Sequence, residues 1–152
     1  MVWRIIIFLL INFAALGIGS IFTNSGVESD WYQQLQKAPW TPPGWFFGVA
    51  WTSIMIFFAI YMASAWKSFA HKNKLITLFS IQWILNVAWN PVFFHFHMVT
   101  GGLIVITALT ILMGIFLFGY YNELGNKSWF VVPYFAWLCV ATSLNAYILV
   151  NN

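Results

Sequence analysis

Five long apolar runs constrain the fold of this chain more than any other feature. About 20 apolar residues in a helix cross the ~30 Å hydrocarbon core of a bilayer, so each run is long enough for one transmembrane helix. The runs lack the alternation of apolar and polar residues that marks a membrane β-strand. The sequence therefore predicts an all-α integral membrane protein, a single domain over residues 1–152 that forms one bundle of five transmembrane helices. The runs lie near Val2–Phe22, Gly44–Trp66, Leu75–Phe94, Gly101–Tyr121 and Trp129–Val150.

The composition excludes a water-soluble globule. Hydrophobic residues make up 62% of the chain and charged residues only 6%, whereas a soluble domain carries roughly a quarter charged residues. The first run has an alternative interpretation as a signal peptide, because Arg4 precedes an apolar stretch that ends in small residues. Cleavage would leave four helices. Against it, the apolar run continues to Phe22, and no Ala-x-Ala site follows.

Basic residues are distributed unequally between the two ends of the predicted bundle. Five of the 6 Lys and Arg residues fall on the side of the N-terminus, and only Lys37 falls on the other. The positive-inside rule then predicts a cytoplasmic N-terminus and an outward-facing C-terminus, as in a bacterial plasma membrane. No basic stripe indicates a nucleic-acid partner. The five residues on the first side are Arg4, Lys67, Lys72, Lys74 and Lys127.

Small residues at four-residue spacing, Ala15/Gly19 and Gly44/Gly48, are spaced as in sites of close helix contact. The single cysteine, Cys139, lies within the fifth run and excludes an intrachain disulfide.

The polar residues inside the predicted helices are amides, and they are regularly spaced. Gln82, Asn86 and Asn90 stand four residues apart, which places them on one face of the third helix. Asn145 lies on the fifth helix at the same spacing from Ala141. Two interpretations stay open: the amides bind a ligand, or they bond one another and hold the helices together. No ionisable residue lies deep in any run, which argues against a proton relay or ion pump.

Aromatic residues near one end of the predicted bundle indicate a ligand site. Trp51, Asn90, Trp137 and Ala141 combine indole faces, an amide and a small residue, which suits a flat, apolar ligand with a few polar edges. Alternatively, Trp at helix ends forms an interfacial aromatic belt. His95-x-His97 lacks a third ligand nearby in sequence, so no metal site is predicted. Without a buried histidine, no tightly bound haem or other cofactor is predicted.

Three blocks of the sequence resemble the TspO/MBR family of tryptophan-rich sensory proteins and translocator proteins. The family pattern W-Y-x-x-L-x-K-P-x-W-x-P-P-x-W precedes the second helix, Q-x-x-L-N-x-x-W-x-P-x-F-F lies in the third, and P-Y-x-A-W-x-x-x-A-T-x-L-N lies in the fifth. The resemblance implies a five-helix bundle, often a homodimer, with a ligand pocket beneath the first loop. The blocks here are "WYQQLQKAPWTPPGWFFGVAWT", "QWILNVAWNPVFF" and "PYFAWLCVATSLN".

The resemblance also implies which residues bind ligand. Trp51 and Trp137 match pocket positions and are the expected reactive residues, while Tyr32 and Pro42 match a lid over the pocket. The resemblance implies binding of protoporphyrin IX and isoquinoline carboxamide drugs, with light-dependent porphyrin breakdown as a possible activity. The remaining pocket and intramembrane matches are Gln82, Asn86, Asn90, Ala141 and Asn145.

This chain departs from the family pattern at several positions. Ala38-Pro39 replaces the usual Pro-x, Val49 replaces a frequent Pro, and Met55 stands where Tyr is common. No basic residue follows Tyr147, so sterol binding through the C-terminal motif of the mitochondrial members is not predicted. Two other functions stay open, a facilitated tetrapyrrole transporter and a ligand-responsive sensor without catalysis.

Overall fold

The computed structural model describes residues 1–152 and contains five helices that are long and apolar enough to cross a membrane. They correspond one to one with the five predicted runs, so the all-α transmembrane fold is confirmed. The spans are Val2–Val27, Gly44–Ser68, Lys72–His95, Val99–Gly119 and Tyr121–Asn151.

Shorter elements complete these spans. The elements in chain order are α1 (Val2–Val27), α2 (Asp30–Gln33), α3 (Gly44–Ser68), α4 (Lys72–Asn90), a π-helical turn (Pro91–His95), α5 (Val99–Gly114), a second π-helical turn (Ile115–Gly119), α6 (Tyr121–Leu124), a 3-10 turn (Gly125–Val131) and α7 (Val132–Asn151).

The five long helices form a closed ring. α1 packs against α3 and α4, α7 packs against α3 and α5, and α4 packs against α5. The order around the ring is therefore α1, α3, α7, α5 and α4. Its interior is filled by a cluster of large side chains that includes Phe58, Tyr61, Met113, Phe116 and Leu138, all fully buried.

α1 continues beyond the predicted boundary at Phe22 and ends at Val27. The polar residues Thr23 and Ser25 do not end the helix, because both hydroxyls are paired. The single Thr23 hydroxyl proton is donated to the Asn90 side chain of α4 at 2.6 Å, and the Ser25 hydroxyl donates back to the Ile21 carbonyl one turn earlier. In a membrane helix, this return bond pairs a hydroxyl that would otherwise face hydrocarbon unbonded. The first helix therefore extends five residues beyond the apolar run predicted near Val2–Phe22.

One of the two small-residue pairs permits a close helix contact. A methyl group added at Gly19 would lie 2.6 Å from the Asn90 side chain, so α1 and α4 approach closely only because this residue is glycine. Gly44 and Gly48 have no neighbouring atoms within 4 Å of an added methyl group. Within this chain, the second pair therefore makes no close helix contact.

Pro91 changes the hydrogen bonding at the end of α4. Proline has no N–H, so the Val87 carbonyl loses its usual partner four residues later. The side-chain amide of Asn90 donates to that carbonyl at 3.4 Å and to the Asn86 carbonyl at 3.1 Å. The chain then widens into the π-helical turn, where the Phe96 amide donates to the Pro91 carbonyl. Asn90 thus lets the helix continue past a proline.

Candidate functional site

The amide stripe of α4 is used mainly to join helices. The Gln82 carbonyl oxygen accepts a hydrogen bond of 2.7 Å from the Tyr134 hydroxyl of α7, and both side chains are buried. The Asn90 carbonyl oxygen accepts one of 2.6 Å from the Thr23 hydroxyl of α1. Gln82 and Asn90 therefore hold α7 and α1 against α4. Asn86, between them, is buried and carries no such link to another helix.

Asn145 of α7 is also paired with protein groups. Its carbonyl oxygen accepts from the indole N–H of Trp89 at 3.0 Å, and its amide donates to the Val99 carbonyl at 3.0 Å. A methyl group at Gly102 would lie within 3.3 Å of both Asn145 and Trp89, so glycine provides the space for this pair. Of the two interpretations of Asn145, the structure favours the one in which it joins helices.

The first loop, residues 28–43, lies over one end of the bundle, which we call the loop end. Ser29 caps α2, since its hydroxyl accepts from the Tyr32 amide. The Tyr32 ring then packs on Phe93 and Phe94 of the π-helical turn, with the ammonium of Lys37 4.4 Å from its centre. Burial raises the pKa of the Tyr32 phenol. Tyr32 is thus placed as a lid residue would be.

The second half of the first loop is fastened to the last turns of α7. The Trp40 indole donates to the Ser143 hydroxyl at 3.0 Å and packs edge to face on Tyr147. The Asn152 side chain forms two hydrogen bonds with the Gln36 backbone, accepting at 2.9 Å and donating at 3.1 Å. The Trp40 ring therefore packs on a membrane helix with about half of its surface, while 52% of the side chain is exposed.

The two candidate reactive tryptophans contact the same wall of the bundle. Trp51 is half-buried and packs edge to face on Tyr134, with ring centres 6.0 Å apart. Trp137 lies one turn further along α7 and packs between Phe46 and Phe47 of α3, at 5.6 and 5.3 Å. Both indoles therefore lie where α3 meets α7.

Trp137 carries the most informative polar atom of the site. The side chain is only 7% exposed, and its indole N–H has no hydrogen-bond partner. A buried donor without a partner costs about 1–3 kcal/mol, and in native proteins such a group usually has a water, ion or ligand as its partner. A hydrogen-bond acceptor placed beside Trp137 would recover that energy.

A cleft between α3 and α7 brings Trp137 together with Pro42, for which a lid role is predicted. It encloses about 460 Å³, a size within the ~300–1,000 Å³ range of small-molecule sites. The lining is apolar apart from Ser53, and the Trp137 indole nitrogen is itself buried. Its residues are Pro42, Phe46, Ala50, Ser53, Ile54, Pro133, Ala136, Trp137 and Val140.

The predicted site residues do not all line this cleft. Ala141 packs against the central cluster one turn beyond Trp137, and Trp51 packs against the same cluster. Gln82, Asn90 and Asn145 are committed to the helix links described above, and Tyr32 belongs to the loop end. The residues brought to one cleft are thus Pro42 and Trp137, while Trp51 lies behind its wall.

Several residues of the site were not predicted from the sequence. Phe46 and Phe47 hold the Trp137 ring, and Tyr134 joins Trp51 to Gln82. Trp89 stacks on Phe93 with ring centres 4.9 Å apart. All of them fall inside the three blocks quoted in the sequence analysis. The sequence therefore indicated the segments that contribute to the site but not which side chains contact one another.

The chemistry available at the cleft is limited to aromatic and aliphatic surface, the Ser53 hydroxyl and the Trp137 side chain. No Asp, Glu, Lys, Arg, His or Cys lines it, so it offers no general acid, general base or strong nucleophile. Such a surface can stack on a flat apolar molecule and orient it through one acceptor.

Comparison with known proteins gives a consistent result. Residues 6–150 match the TspO/MBR family. The tryptophan-rich protein TspO of Archaeoglobus fulgidus is 33% identical over 100% of this chain and 96% of its own length. Protein CrtK of Rhodobacter capsulatus is 33% identical, covering 84% of this chain and 79% of its own. The human translocator protein is 29% identical, covering 84% of this chain and 78% of its own.

Proposed function

This chain belongs to the TspO/MBR family, and we propose that it is a membrane receptor for tetrapyrroles such as protoporphyrin IX. The ligand would bind where α3 meets α7, against the side chains of Trp51 and Trp137. The observation that carries the proposal is the buried Trp137 indole N–H without a partner in an otherwise apolar site. A porphyrin is flat and apolar, so it can stack on the aromatic side chains. It also carries a few polar atoms, which can accept a hydrogen bond from the Trp137 indole.

Each residue has a distinct part in this proposal. Trp137 donates a hydrogen bond to a polar atom of the ligand and offers its ring face. Trp51 packs on the ring or on its edge, supported by Tyr134. Pro42 and Tyr32 close the site at the loop end. Isoquinoline carboxamides fit the same description, because they combine fused aromatic rings with a carbonyl acceptor.

The proposal extends to light-dependent breakdown of the bound porphyrin. The light-excited macrocycle reacts with oxygen, and neighbouring indoles are oxidisable groups that take part without an acid or base. The absence of ionisable side chains from the cleft lining supports a photochemical route over a hydrolytic one.

Spectroscopy with purified protein tests the proposal. Protoporphyrin IX is titrated in the dark and then illuminated, with wild type, Trp51→Phe, Trp137→Phe and the matched control Trp129→Phe. Trp129 is 64% exposed and lies outside the cleft. We expect Trp137→Phe to weaken dark binding about five-fold, the loss of one hydrogen bond worth ~1 kcal/mol. Trp51→Phe should abolish the photoproduct, and Trp129→Phe should change neither.

The outcomes separate the competing functions. No saturable binding by wild type would refute the receptor proposal. Binding without a photoproduct would leave a carrier or a sensor, which are distinguished by porphyrin flux into liposomes. A photoproduct that forms equally in Trp51→Phe and Trp137→Phe would show that the indoles take no part in the chemistry.

A further inference from the structure

A second cavity lies at the loop end, apart from the cleft between α3 and α7. It encloses about 550 Å³ and is formed by three segments that are distant in sequence: the first loop, the start of α5 and the last turn of α7. It shares no lining residue with the cleft. On α7 its first lining residue, Ile148, lies about two helical turns beyond Val140, the last residue of the cleft. The two cavities are therefore separate.

This loop-end cavity lies at the boundary between the hydrocarbon and the headgroup region of the bilayer. The third span ends at His95, the fourth begins at Val99 and the fifth ends at Asn151, and the cavity lies among these three ends. Molecules that concentrate at this boundary have an apolar body, which lies in hydrocarbon, and a polar head, which lies near water. The position of the cavity therefore favours an amphiphile.

The apolar part of the lining favours an acyl chain over a flat ring. Trp31 is the one Phe, Tyr or Trp residue of the lining, and His97 already stacks on its ring, with ring centres 4.0 Å apart and planes at 8°. One face of that ring is therefore occupied and unable to stack on a ligand. The remaining apolar surface is mostly aliphatic and suits a hydrocarbon chain. The aliphatic residues include Leu35, Val99, Ile148 and Leu149.

The polar part of the lining favours an anionic head group. Thr100 and His97 are exposed and can donate hydrogen bonds through a hydroxyl and an imidazole N–H, while the Asn152 side chain is already bonded to the Gln36 backbone. No Asp or Glu lines the cavity, so a cationic head would lose hydration without gaining a counter-charge. A carboxylate or phosphate would accept from both donors, and such charge-assisted hydrogen bonds are stronger than neutral ones.

We propose that the loop-end cavity is a second ligand site, which binds an amphiphile with an acyl chain and an anionic head. The head is a carboxylate of a fatty acid or a phosphate of an anionic phospholipid, and it accepts hydrogen bonds from Thr100 and His97. The chain packs on the aliphatic residues of the lining. The site does not depend on the tetrapyrrole assignment, because the two cavities have no lining residue in common.

NMR of isotope-labelled histidine tests the site, because the chain has 3 histidines and only His97 lines the cavity. In phosphatidylcholine nanodiscs, His95 reports on the same membrane boundary, and His71, between α3 and α4, reports on the opposite one. His97→Asn assigns the signal, since asparagine tolerates the positive φ of 55° that His97 adopts. The probes are laurate, dihexanoyl phosphatidylglycerol, and dodecyltrimethylammonium, which has the chain length of laurate and the opposite charge.

We expect laurate, dihexanoyl phosphatidylglycerol or both to shift the His97 ring signals saturably, while the His95 and His71 signals stay in place. A shift by laurate alone assigns the site to a free carboxylate amphiphile, and a shift by the phospholipid alone assigns it to a lipid head group. The proposal is wrong if neither probe shifts His97 or if the cationic probe shifts it equally. It is also wrong if His95 shifts together with His97, which would mark a general change in surface charge.

Two adjacent residues of α7 give a matched pair of variants. Leu149→Trp fills part of the cavity, whereas Val150→Trp adds equal bulk outside the lining, at a position that is 82% exposed. We expect Leu149→Trp to weaken binding of the anionic probe ten-fold or more and Val150→Trp to leave it unchanged. Thr100→Val removes one donor to the head group at an exposed position and should weaken binding about ten-fold.

The His95 and His71 signals without probe show whether each variant is folded. Thr100→Val keeps its shape and its exposure to solvent, so it tests the site even if Leu149→Trp does not fold. Wild-type affinity in a folded Leu149→Trp or in Thr100→Val would overturn the proposal. Dark binding of protoporphyrin IX should be the same in Leu149→Trp and wild type, which separates this site from the one between α3 and α7.

Discussion

Gly26 gives the sharpest test of the packing at the loop end. It lies near the end of α1, against the Phe94 side chain of the π-helical turn. A methyl group built on Gly26 would lie 2.3–2.5 Å from three atoms of Phe94, including its Cβ, whereas ordinary contacts begin near 3.4 Å. Because the Phe94 Cβ is fixed to the backbone, a rotamer change cannot relieve the overlap, and α1 must move by about 1 Å. Overpacking of this kind costs about 1–3 kcal/mol.

Gly17→Ala is the matched control, because its added methyl group meets nothing within 4 Å. Both substitutions gain about 0.5–1 kcal/mol of helix propensity. We therefore expect Gly17→Ala to be neutral or stabilising and Gly26→Ala to unfold at a temperature several degrees lower. Thermal unfolding in detergent, followed by circular dichroism, measures both. Equal midpoints for the two variants would show that α1 and the π-helical turn are not in close contact at Gly26.

Two further predictions concern polar groups. Tyr134→Phe leaves the buried Gln82 carbonyl oxygen without its donor and should lower the free energy of unfolding by about 1–3 kcal/mol. Adding Gln82→Leu should recover part of that loss. If the effects of the two substitutions on the free energy of unfolding are additive, the hydrogen bond is contradicted. Burial raises the pKa of Tyr32 above its ordinary value, so the closed loop favours the neutral phenol. The stabilisation that this contributes is present below pH ~10 and is lost as the pH rises through the raised pKa. A pH titration of unfolding should show a smaller alkaline loss in Tyr32→Phe, and an unchanged loss would refute the assignment.

The architecture could be predicted from the sequence because hydrocarbon leaves few alternatives. A run of 20 apolar residues must satisfy its backbone internally, so five such runs give five helices. The ends of the helices were less predictable where side chains form hydrogen bonds in place of missing backbone ones. Thr23 remains in α1 because its hydroxyl is paired with Asn90 of α4, and Asn90 carries α4 past Pro91 by donating to the Val87 carbonyl. The membrane side of each terminus and the homodimer stay predictions.

The site was predictable as a set of residues but not as a set of contacts. The spacing of Gln82, Asn86 and Asn90 correctly placed them on one face, yet it could not show that Tyr134 and Thr23 would pair with the outer two. Those partners come from other helices, and a periodic pattern within one helix holds no information about them. The same holds for Trp137, because its neighbours Phe46 and Phe47 were not predicted and its indole N–H without a partner is visible only in three dimensions.

The division of polar groups between structure and binding follows from the low dielectric of the membrane. An unpaired amide in hydrocarbon is costly, and Gln82, Asn90 and Asn145 all have partners on neighbouring helices. These links join α4 to α1 and α7, and join α7 to α5, so α7, which carries Trp137, is held without help from a ligand. A ligand therefore has to supply only one acceptor and a flat apolar surface. No charge lines the cleft to attract it, so affinity at this site depends on shape and aromatic contact more than on ionic strength.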